Sequence, residues 1–257
     1  MDNRPIGIFD SGIGGISVLH QAMQILPKEK YIYYADTKNV PYGLKNSSQI
    51  KEYVYNAASF FLEQDVKSIV IACNTATSVC IKDLREKYDL PIIGIEPAVK
   101  LAIDNCDEKR TLLLATPVTI KEKKLHDLLE KIDTKSMIDL KALPRLVEFA
   151  ENEEFESLKV EQYLKNELSK YNLNNYSQVI LGCTHFNYFI PVIKKVFPGE
   201  VKILDGNKGT VNRLYQILKT NNLIGMNEDL DVKYYFSGEL VQRRSDLDKI
   251  KRLHNRL

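Results

Sequence analysis

The chain has 257 residues, of which 44% are hydrophobic, and its 36 Lys and Arg residues nearly balance 34 Asp and Glu residues, for a net charge of +2. It is long enough to bury one large or two modest cores, and its charge gives no electrostatic case for nucleic acid. The amino terminus carries no apolar leader and no run approaches the roughly 18 apolar residues of a membrane span. We therefore expect a cytoplasmic protein without a membrane or nucleic-acid partner.

The first predicted unit is a short apolar strand, Ile6–Phe9, followed by Asp10-Ser11, a glycine-rich turn and a helix. The turn reads G-x-G-G from Gly12, and Ser17 stands where a dinucleotide fingerprint has its third glycine, which disfavours nucleotide binding. The glycines are consistent with a tight strand-to-helix turn. Asp10 is then either a helix cap or a ligand-binding group.

Further strands alternate with helices along the first hundred residues, with the predicted strands at Tyr31–Ala35, Ser68–Ala72 and Pro91–Ile95. This alternation is typical of a parallel, doubly wound sheet. The pattern restarts at Arg110 and continues to Asp205, after which one more strand and a terminal helix follow. We predict an α/β protein of two similar, doubly wound, mainly parallel-sheet domains with the active site between them. One domain comprises residues 1–97 and 207–257, the other residues 98–206.

Two similar stretches, I-A-C-N-T from Ile71 and L-G-C-T-H from Leu181, each follow a short apolar strand. Each puts a thiol at the carboxyl edge of a sheet, where open α/β sheets bind ligands. The simplest arrangement has Cys73 and Cys183 facing one another across a single site, although Asn74 and Thr75 could also serve only as helix caps. Two other cysteines, Cys80 on a helix face and Cys106 in a charged turn, are expected to be packing and surface residues.

Two thiols on opposite sides of a carbon acid can remove a proton from one face and deliver one to the other, which inverts a stereocentre. A free thiol has a pKa of about 8.5 and needs a neighbour to shift it; His185 and Asp10 are the candidates. Cys–His acyl transfer, as in a thiol amidase or another hydrolase, would leave the second cysteine motif without a role. A zinc site at Cys73, Cys183 and His185 lacks an identifiable fourth ligand, and a non-catalytic binding protein is the third alternative.

Five motifs in order resemble those of the glutamate racemases: I-G-I-F-D-S-G-I-G-G from Ile6, Y-A-D-T-K-N-V-P-Y-G from Tyr34, I-A-C-N-T-A-T from Ile71, G-I-E-P from Gly94 and L-G-C-T-H from Leu181. The second motif separates this family from the related aspartate and hydantoin racemases. The resemblance runs at least to Asp205, with a Ser237-Gly238 pair near the end. It implies an isomerase that needs no cofactor or metal and makes D-glutamate for peptidoglycan, and a homodimer. Racemisation of another acidic amino acid, such as aspartate, is the alternative substrate assignment.

The resemblance also implies roles for individual residues. Cys73 matches the thiol that acts on D-glutamate and Cys183 the thiol that acts on L-glutamate, while His185 matches the partner of the second thiol. A glutamate near that thiol is matched by Glu148, which the local sequence alone would place on a solvated face. The implied substrate-binding residues are Asp10 and Ser11 beside the amino group; Asn74, Thr75 and Thr184 at the α-carboxylate; Tyr42 and Gly43 at the side-chain carboxylate; and Thr119 and His185.

The chain departs from the family pattern in two places. Phe-Asn-Tyr follows His185 where the family usually has an aromatic residue and Pro-Leu, and the usual Ser and Tyr are missing after Thr119. Both departures bear on the packing around the site and on any regulator pocket rather than on the chemistry.

Overall fold

A computed structural model describes residues 2–104 and 108–257. Two sheets form the centre of the molecule, and their strands and helices are numbered here in chain order. The first sheet contains β1 (Ile6–Asp10), β2 (Lys30–Ala35), β3 (Ser68–Ile71), β4 (Ile92–Gly94), β9 (Asp231–Phe236) and β10 (Glu239–Leu240). The second contains β5 (Arg110–Ala115), β6 (Ile138–Ala142), β7 (Tyr176–Gly182) and β8 (Lys202–Asp205).

The helices connect these strands and pack against the sheets. They are α1 (Ile16–Ile25), α2 (Ser47–Glu63), α3 (Asn74–Lys87), α4 (Val99–Asp104), α5 (Pro117–Lys121), α6 (Lys123–Ile132), α7 (Arg145–Glu151), α8 (Leu158–Leu168), α9 (Ile190–Val196), α10 (Asn207–Thr220) and α11 (Arg244–Asn255). Short 3-10 turns lie at Tyr42–Leu44, Leu173–Asn175 and Thr184–Phe189. Within the described residues, no helix is both long and apolar enough to cross a bilayer.

The first four strands of each sheet, counted along the chain, are arranged in the same order. The first runs β10-β9-β2-β1-β3-β4 and the second β6-β5-β7-β8, so the order second, first, third, fourth strand occurs in both. Neighbouring strands pair in parallel, apart from the antiparallel β9–β10 edge. Cys73 follows β3 and Cys183 follows β7, which are equivalent strands. The predicted α/β fold with two mainly parallel sheets is confirmed.

The apolar strand sequences explain where the core lies. Strands buried on both faces read as continuous apolar runs, and β1 and β3 are buried along their whole length. One buried cluster contains residues of both sheets, including Ile8 and Val70 from the first and Leu112 and Val179 from the second. The sheets therefore meet through a shared apolar junction. We propose the domain division predicted above, because each sheet takes its strands from one of the two sets of residues.

The carboxyl-terminal segment contains the predicted last strand, β9, and a short strand, β10 (Glu239–Leu240), that the sequence pattern did not predict. β9 extends the first sheet in parallel beside β2, and the chain then turns back at Ser237-Gly238 into the two-residue strand β10. Ser237 and Gly238 have φ values of 46° and 86°, in the left-handed region that favours glycine. Cys80 is buried on α3, as predicted for a packing residue, and Cys106 lies outside the described residues.

Candidate active site

The carboxyl end of β1 brings Asp10 into the junction between the sheets. Its side chain is completely buried, and its two oxygens accept hydrogen bonds from the Gly12 N–H and from the Thr184 hydroxyl, each at 3.0 Å. Burial raises the pKa of Asp10, while the positive charge of His185 and these two hydrogen bonds act in the opposite direction. The carboxylate of the first sheet is thus held by a residue of the second.

Cys73 caps the amino terminus of α3, because the chain leaves β3 and enters the helix there. Its Sγ accepts the Ala76 N–H at 3.5 Å and lies 3.6 Å from the Ser11 hydroxyl, to which the thiol donates. Burial raises the pKa of Cys73 above its ordinary value, and the negative charges of Asp10 and, more weakly, Cys183 raise it further. At neutral pH this group is therefore a neutral thiol that can act as a proton donor.

The second thiol begins a chain of three side chains. Cys183 Sγ lies 3.8 Å from His185 Nδ1, and His185 Nε2 lies 2.7 Å from Glu151 Oε1. Burial alone would lower the pKa of His185, but its hydrogen bonds to Cys183 and Glu151 outweigh burial and raise that pKa well above the ordinary value. An imidazolium beside a thiol stabilises the thiolate.

Glu151 takes the place that the family resemblance assigned to Glu148. Burial would raise the pKa of Glu151, but the hydrogen bonds from His185 and from the Ile13 N–H hold it below its usual value. Glu148, about one turn earlier on α7, is exposed to solvent, and the carboxylate that pairs with His185 is that of Glu151. Helical spacing is a signal that could have found Glu151, since it follows the buried Val147 by one turn.

The G-x-G-G turn has a different role from the one its glycines suggested. Gly12, Gly14 and Gly15 do not have positive φ values. An added Cβ on Gly14 would lie 2.5 Å from both His185 Nδ1 and Thr184 Oγ1, and one on Gly12 would collide with Glu151. Gly12 and Gly14 are therefore needed because site residues of the second half pack directly on the turn, and Gly15 is needed because Asp10 lies against it.

A group of threonine hydroxyls joins the two halves on the other side of the site. Thr75 Oγ1 lies 2.8 Å from Thr116 Oγ1 and 3.3 Å from Thr119 Oγ1. Thr116, which the sequence analysis did not single out, is the amino-terminal cap of α5. Next to Thr75, both polar atoms of the Asn74 amide are buried without a hydrogen-bond partner among the described residues. Buried polar groups normally have partners, so this amide is suited to bind a polar ligand.

Tyr42 and Gly43 lie in the 3-10 turn after β2, against the same threonine group. An added Cβ on Gly43 would lie 2.6 Å from the Thr116 Cβ, so only glycine allows this approach. The Tyr42 hydroxyl donates to Asp36 Oδ2 at 2.6 Å. The phenol is thus engaged by Asp36, while Gly43 is the part of the turn that packs on Thr116.

The unusual residues after His185 are all buried and support the second thiol loop. Asn187 Nδ2 donates to the Thr184 carbonyl at 3.1 Å, and the Tyr188 hydroxyl donates to the Ile13 carbonyl at 3.2 Å. These bonds fix the 3-10 turn that carries Thr184 and His185 against the glycine turn of the first sheet.

Two kinds of chemistry fit parts of this arrangement. The Cys183–His185–Glu151 chain alone has the order of a cysteine hydrolase triad. That assignment leaves Cys73, with its own hydrogen-bonded partners and its coupling to Asp10, unused. Within residues 2–104 and 108–257, no group of three or more His, Cys, Asp and Glu side chains is arranged to hold a metal ion. Two thiols at equivalent strand ends are best suited to proton transfer at one carbon from two sides.

Comparison with known proteins identifies the family. The family described as Asp/Glu/Hydantoin racemase matches residues 16–214. A glutamate racemase of Campylobacter curvus is 48% identical, over 98% of this chain and 97% of its own. The crystal structure of a Bacillus anthracis glutamate racemase has a TM-score of 0.85 at 27% identity, covering 97% of this chain and 93% of that one. A Francisella tularensis glutamate racemase in complex with D-glutamate has a TM-score of 0.84 at 28% identity, covering 99% and 95%. The chain therefore belongs to the Asp/Glu/Hydantoin racemase family and, within it, to the glutamate racemases.

Proposed function

We propose that this protein interconverts L- and D-glutamate by proton transfer between two thiols, and that it supplies D-glutamate for peptidoglycan. The observation that carries the proposal is the pair of strand-end thiols, Cys73 and Cys183, each with its own hydrogen-bonded partners at one junction between the sheets. The relative in complex with D-glutamate supports this substrate. Neither aspartate racemisation nor hydrolysis has a comparable observation in its favour.

In the direction from L- to D-glutamate, the Cys183 thiolate takes the proton from the α-carbon. The electron pair stays on that carbon, and the Cys73 thiol then donates its proton to the opposite face. The products are D-glutamate, a Cys183 thiol and a Cys73 thiolate, so protons and charge balance. His185, kept protonated by its raised pKa, stabilises the thiolate that begins the reaction. From D-glutamate the two thiols exchange roles.

The α-carboxylate of the substrate is assigned to Asn74, Thr75 and Thr184. The unpartnered Asn74 amide and the amino terminus of α3 supply neutral donors, and such donors at a helix start bind carboxylates well. Holding the carboxylate also stabilises the negative charge that develops on the adjacent carbon. Asp10 and Ser11 are assigned to the substrate amino group, beside Cys73.

Replacing Thr75 or Thr184 by valine is expected to lower kcat/KM about 10- to 150-fold, the equivalent of about 1.5–3 kcal/mol for a lost hydrogen bond to a charged group. Thr77→Val is the matched control, because Thr77 lies on the same helix and its hydroxyl donates only to the Ile71 carbonyl. Steady-state kinetics with thermal melts of each variant measure the effect. Normal activity in both site variants would remove these residues from the binding site.

The activity itself is tested by incubating the purified protein with L-glutamate and following the change in optical rotation, without added cofactor and after dialysis against a chelator. We expect conversion to the racemic mixture under both conditions. Failure on glutamate with turnover of aspartate would move the assignment to the alternative substrate. Recovery of lost activity only by a metal or by pyridoxal phosphate would contradict the thiol mechanism.

We further propose, from the family resemblance, that the protein is a homodimer in the cytoplasm. Its net charge of +2 gives no support to a membrane-surface or nucleic-acid role. Sedimentation velocity of the purified chain should give a dimer mass, and a monomer mass at every concentration tested would contradict the dimer.

A further inference from the structure

The Asp-Thr motif after β2 and the Ser-Gly pair near the carboxyl terminus are in contact, although neither has a role in the proton transfer. Asp36 is buried, with 4% of its surface exposed. Its Oδ1 accepts the Ser237 hydroxyl at 3.0 Å and its Oδ2 accepts the Tyr42 hydroxyl at 2.6 Å. The Asn39 Nδ2 donates to both oxygens at 3.0 Å. One carboxylate thus joins the loop after β2 to the turn after β9.

The donors around Asp36 are a phenol, an amide and a hydroxyl, all neutral. A buried carboxylate surrounded by neutral donors needs the hydrogen bonds from all of them, because no positive charge compensates for its lost hydration. Burial raises the pKa of Tyr42, and the nearby Asp36 raises it further, so the phenol remains a donor. The Asp36 carboxylate therefore restrains the position of the Tyr42 hydroxyl.

Ser237 is itself fixed in place by the strand ladder. Its N–H donates to the Ala35 carbonyl at 2.7 Å, which continues the pairing of β2 with β9. Its hydroxyl oxygen also accepts the Lys38 N–H at 3.0 Å. The turn after β9 thus contacts the start of the Asp36 loop at Ala35, Asp36 and Lys38.

The contacts that begin at Ser237 and Asp36 continue through Tyr42 to the residues assigned to the substrate. Gly43 follows Tyr42 and packs on Thr116, whose hydroxyl lies 2.8 Å from that of Thr75. A displacement of Tyr42 would therefore move the Gly43 backbone relative to the residues assigned to the substrate. Asp36 is thus connected to the residues assigned to the substrate through Tyr42, Gly43 and Thr116.

We propose that Asp36, held by Ser237, is a positioning residue that sets the Tyr42–Gly43 turn for the side-chain carboxylate of the substrate. This inference rests on the proposed function, because it assumes a dicarboxylic substrate. The side-chain carboxylate does not react, so its contacts are the same in the ground state and the transition state. Loss of such uniform binding raises KM and leaves kcat unchanged.

The test uses Ser237→Ala, Tyr42→Phe and the double variant, each assayed for KM and kcat with L- and D-glutamate. We expect each single variant to raise KM about 10-fold for both enantiomers with kcat within about twofold, as for loss of one hydrogen bond to a charged group. Because both act through Asp36, the double variant should raise KM less than the product of the single effects. Lys38→Met is the matched control: it removes the exposed Lys38–Glu239 ion pair between the same two segments and leaves Asp36 untouched.

An unchanged KM in Ser237→Ala, effects that multiply independently, or a loss confined to kcat would each overturn the inference. A rise in KM in Lys38→Met equal to that in Ser237→Ala would also overturn it. Loss of any contact between the two segments would then raise KM, and Asp36 would have no specific role. Thermal melts of all variants separate loss of fold from loss of binding. If the wild-type protein does not act on glutamate, the proposed function fails instead, so the two failures are distinguishable.

Discussion

Replacing either site cysteine by serine is expected to abolish racemisation. Cys73→Ser and Cys183→Ser should each lower kcat/KM at least about 10³-fold, within the range for removal of a general acid or base. The reason is that a serine hydroxyl is far too weak an acid to form the anion that one direction of the reaction requires. Optical rotation with either enantiomer measures the loss, and Cys80→Ala, at a buried cysteine on α3 outside the site, serves as the control.

The two serine variants should also differ from one another. Each retains one thiol, which still faces one side of the α-carbon. Cys183→Ser should therefore exchange the α-proton of D-glutamate only, and Cys73→Ser that of L-glutamate only. Near-normal racemisation by either variant, or exchange of both enantiomers by one variant, would contradict the division of labour between the thiols.

The second large effect is expected at Glu151. Glu151→Gln removes the charge that raises the pKa of His185, so the imidazolium beside Cys183 should be lost at lower pH. We expect kcat/KM to fall about 10²-fold and its alkaline limb to move to lower pH. Because the two enantiomers have equal free energies, the fall must be the same in both directions.

Glu148→Gln is the matched control, since this residue lies on the same helix and is exposed to solvent. Its kinetics and pH profile should equal those of the wild type. An impaired Glu148→Gln with a normal Glu151→Gln would restore the assignment that the family resemblance suggested. Thermal melts show whether loss of the Ile13 N–H bond to Glu151 alters the fold.

The fold could be predicted from the sequence because local signals and global topology agree. Continuous apolar runs such as Ile69–Ala72 mark buried parallel strands, and the restart at Arg110 marks the second sheet. The hairpin at Ser237-Gly238 could not be predicted in the same way. Its second strand has two residues, too few for a periodic pattern, and its position depends on pairing of β9 with β2 across nearly two hundred residues.

The site was predictable where a residue lies at or just beyond the carboxyl end of a strand. Asp10 ends β1, Cys183 directly follows β7 and Cys73 lies two residues beyond β3, and parallel strands bring their carboxyl ends to one edge. Residues that contact the catalytic side chains from elsewhere in the fold do not lie at strand ends, so position at a strand end does not identify them. Glu151 ends a helix of seven residues among several acids, and its contact with His185 depends on how the two halves dock. The local sequence predicts that the glycines of the first turn serve a tight turn. In the structure, Gly12 and Gly14 are required because Glu151 and His185, distant in sequence, pack against them.

The central claim, that each thiol serves one face of the α-carbon, is tested most directly by turning over L-glutamate in deuterated water. The thiol that removes the proton cannot reach the opposite face, and the proton delivered comes from the other thiol, which has already exchanged with solvent. Early in the reaction, D-glutamate should carry deuterium at the α-carbon while the remaining L-glutamate stays unlabelled. Deuterium appearing in recovered L-glutamate as fast as in D-glutamate would contradict the two-thiol mechanism.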